Sequence, residues 1–240
     1  MMDEADDEGM SFTIHASVGV AANSPVLFIL LGAGGLMQEM RQIFDRAPKP
    51  AWYIACDIGD RGKHLGKNAN GANRKLPNVV VDLLRMVKSW ARSGASRTGV
   101  MRKTFVLGFS RGAAWGCQLM ARFSAYFDGA VLLAPYPSTR CPWTSKNEAR
   151  DMLQAPLPLM LLSFLSDCWC NTARYGAWFS QLEVAMATDA GDDPRRRRES
   201  FLHVNAHGNH DSAKRIFEKL NFDSIDNGKV EGFWRALFEA

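Results

Sequence analysis

The chain has 240 residues, of which 47% are hydrophobic and 22% are charged, a composition typical of globular proteins and unlike that of disordered or fibrous chains. The net charge is +4, and the basic residues are scattered apart from four arginines at residues 195–198, so nothing predicts nucleic acid as a partner. The longest apolar run near the N-terminus, residues 25–31, is far shorter than the roughly 20 residues of a membrane-spanning helix.

The acidic N-terminal residues and the cysteines indicate in which cellular compartment the protein is found. Residues 1–10 are acidic where a targeting leader would be basic, and we predict a flexible tail there, ahead of one domain over residues 11–240. Five cysteines, an odd number without a Cys-x-x-Cys pair, favour reduced thiols in the cytoplasm. We expect no metal and no cofactor, and the sequence leaves the oligomeric state open.

Short apolar runs alternate with segments of helical periodicity along the chain. The predicted strands are residues 25–31, 51–57, 104–107, 129–133, 157–165 and 201–206. The predicted helices are residues 36–46, 78–90, 111–126, 173–188, 211–220 and 232–238. Several strands are apolar on both faces, as in a parallel sheet that is covered by helices on both sides. The alternation predicts an α/β fold whose ligands bind beyond the carboxyl ends of the strands.

A Gly-x-Ser-x-Gly pattern, Gly108-Phe109-Ser110-Arg111-Gly112, joins the third predicted strand to a predicted helix. In that context the pattern predicts a nucleophile elbow, a tight turn that exposes the serine hydroxyl at a helix N-terminus, where negative charge is favoured. Chance gives roughly 0.1 such matches in a chain of this composition. The alternative is an ordinary glycine-rich turn between a strand and a helix.

A serine hydroxyl becomes a good nucleophile only when a base takes its proton and a third group orients that base. Asp167 follows the fifth predicted strand, and His207 and His210 follow the sixth, which gives the candidate triad Ser110, Asp167 and His210. Gly208 allows the histidine loop to bend over the site and His210 adjoins a helix start, so we favour His210 as the base, with His207 as the alternative. For Asp167 the alternative is a helix N-cap.

An oxyanion hole needs one N–H from the residue after the nucleophile and another from the loop after an earlier strand. Arg111 is the candidate for the first, and Ala33 or Gly34 for the second, in the loop Gly32-Ala33-Gly34-Gly35. That loop is a weak candidate for a nucleotide site, because it lacks the Gly-x-Gly-x-x-Gly spacing and the lysine of a Walker motif.

From residue 25 onward the chain resembles the α/β-hydrolase superfamily. Its size and its segment at residues 54–62, IACDIGDRG, are similar to those of small carboxylesterases, acyl-protein thioesterases and dienelactone-hydrolase-like proteins. The resemblance implies an α/β-hydrolase fold with a mostly parallel central sheet, helices on both faces and no large lid. Leu31 departs from the family, which often has histidine before the oxyanion glycine. GFSRGA also resembles the elbow of phospholipase-like bacterial effectors, but their Asp-Gly-Thr motif is missing here.

The expected function is a serine hydrolase that cleaves a carboxylic ester or thioester of small size through an acyl-enzyme. An insertion at residues 135–156 is too short for a large lid, and its Tyr136 and Trp143, with Trp169, are candidates for an apolar rim. Activity should rise with pH, because a histidine base must be neutral and the ordinary pKa of histidine is about 6.5. The alternatives are a peptidase or amidase, a phospholipase, and a non-catalytic binding module on the same fold.

Overall fold

A computed structural model describes residues 11–32, 50–57, 78–135, 157–168, 201–219, 221–223 and 225–239. In these ranges the strands are β1 (Ser11–Ala16), β2 (Val26–Leu30), β3 (Trp52–Asp57), β4 (Thr104–Phe109), β5 (Gly129–Leu133), β6 (Leu159–Phe164) and β7 (Phe201–Ala206). The α-helices are α1 (Asn78–Thr98), α2 (Arg111–Phe123), α3 (His210–Lys219) and α4 (Lys229–Glu239). Short 3-10 turns lie at Ser124–Tyr126 and Asp226–Gly228.

The seven strands form one sheet in the order β1-β3-β2-β4-β5-β6-β7. Every neighbouring pair is parallel except β1 and β3, which are antiparallel. The chain passes from β2 outward to β3 and then returns to place β4 on the other side of β2, so the strand order reverses between β2 and β4. In open α/β sheets, ligands bind at such a reversal, beyond the carboxyl ends of the strands.

The predicted α/β class is confirmed, and all six predicted strands are present, β5 and β7 with the predicted ends and the other four with shifted ends. Strand β4 continues two residues past the predicted end at 107, and helix α1 continues to Thr98 rather than 90. Helix α2 ends at Phe123 and gives way to a 3-10 turn, and α3 begins one residue early, at His210. The predicted helices at 36–46 and 173–188 and the predicted tail at 1–10 lie outside the described residues.

Strand β1 is a correction, because no strand was predicted before residue 25. It pairs with β3 from Ser11 opposite Asp57 to Ala16 opposite Trp52. Its two large apolar side chains, Phe12 and Ile14, are 51% and 44% exposed, so the strand contributes little to the core. An edge strand of this kind has no continuous apolar run, and such a run was the signal used for the other strands.

The sheet is buried on both faces because alternate side chains of each strand pack into two separate cores. One core contains Phe28, Val106 and Leu132 together with side chains of α1 and α2, such as Val87 and Trp115. The other contains strand residues such as Leu107 and Leu133 together with Phe217 of α3 and Trp234 of α4. The expectation of helices on both faces is therefore confirmed, and the carboxyl ends of the strands are left to form the site.

Candidate active site

Ser110 occupies a strained turn between β4 and α2. Its backbone angles are φ 54° and ψ −115°, in a region that residues other than glycine rarely adopt. The turn is held on both sides, since the Ser110 N–H donates to the Leu133 carbonyl (2.9 Å) and the Ser110 carbonyl accepts from the Ala114 N–H (3.0 Å). A serine at a helix N-cap ordinarily bonds the helix backbone through its side chain, but Ser110 does not. The geometry is that of the predicted elbow rather than of a capping turn.

The two glycines of the pattern lie where no side chain fits. A Cβ atom on Gly108 would be 2.7 Å from the Ala113 Cα, and a Cβ atom on Gly112 would be 1.9 Å from the Leu30 carbonyl oxygen. The first turn of α2 therefore lies directly against the backbone at the end of β2. This close approach brings the serine turn beside the loop that follows β2, and a Cβ on Gly32 would be 3.3 Å from the Ser110 Cβ.

The substitution Gly112→Ala is expected to lower the free energy of unfolding by about 3 kcal/mol or more, since the added methyl can be accommodated only by a backbone shift. The control is Gly232→Ala on α4, where a Cβ would have no neighbour within 4 Å. That change should raise the free energy of unfolding by up to about 1 kcal/mol, because alanine favours the helix. Urea unfolding measures both, and a Gly112→Ala midpoint equal to that of the wild type would rule out the close approach.

Asp167 and His210 form a hydrogen-bonded pair beyond the ends of β6 and β7. The Asp167 Oδ2 lies 2.8 Å from the His210 Nδ1, and the Asp167 side chain is fully buried while that of His210 is 22% exposed. An ionised carboxylate can only accept a hydrogen bond, so Nδ1 carries the proton in this pairing and Nε2 keeps its lone pair. A general base needs that tautomer.

The loops that carry this pair are joined to each other by backbone hydrogen bonds. The Leu165 N–H donates to the Ala206 carbonyl (3.0 Å), and the Ser166 N–H donates to the Gly208 carbonyl (2.9 Å). Gly208 then turns the chain with φ +130°, a conformation that favours glycine. The pairing of β6 with β7 thus continues past both strands, and it brings the turn that contains Asp167 against the histidine loop.

Helix α3 places His210 at its first residue. The Asn209 side chain accepts a hydrogen bond from the Ser212 N–H (3.0 Å), and the Ala213 N–H donates to the Asn209 carbonyl (3.1 Å), so Asn209 caps the helix. A capped helix start fixes the direction in which the first side chain leaves the backbone. Sequence reasoning placed His210 next to this helix but overlooked Asn209, although an Asn three residues before a Ser at a helix start is a recognisable capping signal.

The predicted site residues have different outcomes in the structure. Ser110, Asp167 and His210 follow β4, β6 and β7 at the same edge of the sheet, and Arg111 is the first residue of α2. His207, the alternative base, has an exposed side chain, and His210 is the histidine that bonds Asp167. The two candidates for the second oxyanion N–H, Ala33 and Gly34, lie outside the described residues.

The buried cysteine of β3 is not a candidate nucleophile. Burial raises the pKa of the Cys56 thiol to about 12, so this residue of β3 stays protonated and unreactive at neutral pH. No group of three or more His, Cys, Asp or Glu in the described part of the chain is arranged to hold a metal ion. The helices described here include none long and apolar enough to cross a membrane.

The strand order and the serine turn after β4 define an α/β-hydrolase fold, and solved structures share it. Esterase 2 from Thermogutta terrifontis, in its paraoxon-phosphorylated form, aligns with a TM-score of 0.52 and 14% identity over 95% of this chain and 86% of its own. A candidate dienelactone hydrolase from Klebsiella pneumoniae aligns with a TM-score of 0.54 and 15% identity over 95% of this chain and 99% of its own.

A third similar structure is much longer than this chain. A candidate dipeptidyl aminopeptidase IV from Bacteroides ovatus aligns with a TM-score of 0.58 and 14% identity over 95% of this chain, which spans only 33% of that protein. No protein-family model matches the sequence, and no curated protein matches it. At these identities the similarity establishes the fold.

Proposed function

We propose that the protein is a serine hydrolase that cleaves a carboxylic ester or thioester, with Ser110 as nucleophile, His210 as base and Asp167 as the orienting acid. The observation that carries the proposal is the 2.8 Å contact between Asp167 Oδ2 and His210 Nδ1. The pair lies at the edge of the sheet where Ser110 occupies its strained turn. A buried carboxylate on a histidine beside such a turn is the arrangement that activates a serine hydroxyl.

In the proposed reaction His210 Nε2 takes the proton of the Ser110 hydroxyl as the oxygen attacks the substrate carbonyl carbon. The carbonyl oxygen becomes an oxyanion, which accepts hydrogen bonds from the N–H of Arg111 and from that of Ala33 or Gly34. His210 then gives its proton to the departing alkoxide or thiolate, and the acyl group remains on Ser110. Water attacks the acyl-enzyme with His210 again as base, which releases the acid and restores the serine.

In these reaction steps Asp167 acts through His210. Its carboxylate keeps the Nδ1–H tautomer in place before the reaction and stabilises the imidazolium during it. The full burial of the Asp167 side chain supports this role, because a charge in a site of low dielectric acts more strongly on its neighbour than one in water.

The remaining assignments belong to the same proposal. The fold shared with an esterase that paraoxon phosphorylates supports ester substrates, and the odd number of cysteines supports a cytoplasmic location. We assign residues 11–240 to one domain.

The hydrogen-bonded Asp167–His210 pair argues against a non-catalytic module, because a binding surface does not need a buried carboxylate oriented on a histidine. A peptidase is the second candidate, on the similarity to the longer Bacteroides protein.

A substrate panel tests the substrate class. The enzyme should turn over p-nitrophenyl acetate to octanoate, or a short acyl thioester, faster than p-nitrophenyl palmitate or a peptide amide, because no large lid is predicted to shelter a long chain. A chelator should leave the rates unchanged, since the proposed nucleophile needs no metal. Fastest turnover of the amide would favour the peptidase, fastest turnover of palmitate would favour a lipase, and loss of activity with the chelator would contradict the serine mechanism.

A further inference from the structure

Phe109, the last residue of β4, packs against the candidate base and against the helix that carries it. Its ring centroid lies 5.0 Å from that of His210 with an interplanar angle of 36°, and 5.3 Å from that of Phe217 with an angle of 28°. Phe217 belongs to α3, as His210 does, and it is buried. Phe109 is itself only 7% exposed, although it directly precedes the half-buried turn at Ser110.

The Phe109 ring is also confined by the loop after β2. A Cβ on Gly32 would lie 2.9 Å from the Phe109 Cδ1 and 3.2 Å from its Cε1, so the Gly32 backbone lies close against the ring. With Phe217 on one side and Gly32 on another, the ring has little room to move. Its position is therefore fixed independently of His210.

A fixed ring matters because one hydrogen bond does not orient an imidazole. The contact with Asp167 holds a single ring atom, Nδ1, and the ring can still swing and tilt about that point. The packing of the imidazole against the Phe109 ring supplies a second contact. A π face within about 6 Å also attracts a cation, so it favours the imidazolium that forms during the reaction.

We propose that Phe109 is a positioning residue, which fixes the tilt of the His210 ring and so aims Nε2 at the Ser110 hydroxyl. The inference rests on the proposed function, because it assigns a role relative to the same base. It gives a function to the variable position before the serine in the Gly-x-Ser-x-Gly pattern.

The test compares Phe109→Leu with Phe222→Leu. Phe222 is a fully buried phenylalanine of the same core, and its ring packs against that of Trp234, with 5.2 Å between the centroids, rather than against His210. Phe109→Leu is expected to lower kcat by roughly 10- to 100-fold with KM changed by less than about threefold, since a misplaced base slows the chemical step. Phe222→Leu should lose thermal stability without that loss of kcat, and Phe109→Tyr, which keeps the ring, should retain most of kcat.

Nitrogen NMR of the His210 ring gives a second measurement that does not depend on turnover. In the wild type and in Phe222→Leu, His210 should give one set of ring signals with the Nδ1–H tautomer, and in Phe109→Leu these signals should broaden or divide. If the wild type hydrolyses no substrate, the proposed function fails, while the spectra still decide the role of Phe109. A second variant, Phe109→Met, is measured together with Phe109→Leu, so that the test can still be made if one of these two variants does not fold. Unchanged His210 signals, or an unchanged kcat, in the folded variant would overturn the inference.

Discussion

Replacement of Ser110 by alanine should lower the rate of ester hydrolysis by roughly 10³- to 10⁶-fold, because no acyl-enzyme can form without the hydroxyl. The melting temperature should stay close to that of the wild type. The Ser110 backbone bonds to Leu133 and Ala114 do not involve the side chain, and the hydroxyl makes no capping bond that alanine would lose.

A fluorophosphonate probe followed by peptide mapping locates the nucleophile directly. The wild type should be labelled at Ser110, and Ser110→Ala should not be labelled. Ser166→Ala is the matched control, because Ser166 is exposed at the same edge of the sheet, one residue before Asp167. It should keep both activity and labelling. Esterase activity retained by Ser110→Ala would exclude Ser110 as the nucleophile.

Removal of the base and of its orienting acid should have the next largest effect. His210→Ala should be about as inactive as Ser110→Ala, and the double variant should be no worse than either, because the two residues act as a unit. Asp167→Asn should lower kcat by roughly 10³- to 10⁴-fold, since an amide can hold the imidazole in the wrong tautomer. Rates are measured on variants whose folding is checked by circular dichroism.

His207→Ala separates the two histidines of the loop. His207 is exposed and lies on the other side of Gly208 from His210, so its loss should change kcat by less than about threefold. An inactive His207→Ala variant beside an active His210→Ala variant would assign the role of base to His207.

For the Ser110→Ala, His210→Ala double variant, reductions in rate that multiply those of the two single variants would contradict a shared mechanism.

The turn at Ser110 was predictable because its constraints leave a short, local sequence pattern. The pattern of two glycines around a serine, between an apolar run and a helix, is required by contacts within a few residues and by the approach of α2 to β2. The choice between His207 and His210 was less certain from sequence. Their spacing does not reveal which ring turns toward Asp167, because that depends on the backbone bonds joining residues 165 and 166 to residues 206 and 208.

Two features of the structure were not predicted from the sequence, for different reasons. Strand β1 alternates polar and apolar residues, with Phe12, Ile14 and Ala16 on one face, and a search for continuous apolar runs does not detect such a strand. The contact of Phe109 with His210 joins two residues far apart in the chain, at a position that the serine pattern leaves free. Only the three-dimensional arrangement of β4 and α3 shows that this phenylalanine lies against His210.

The order in which the chain supplies the candidate triad has a consequence for how the protein folds. Asp167 and His210 are separated by 43 residues, and Ser110 lies earlier in the chain, directly after β4, which β5 and β6 separate from β7 in the sheet. Parallel pairing between such distant segments is slow, because the chain loses the entropy of a long loop before the contacts between the strands stabilise the pair. The Asp167–His210 contact therefore forms only when β7 has paired with β6, so recovery of activity after dilution from denaturant is expected to follow the formation of this strand pair rather than the first collapse of the chain.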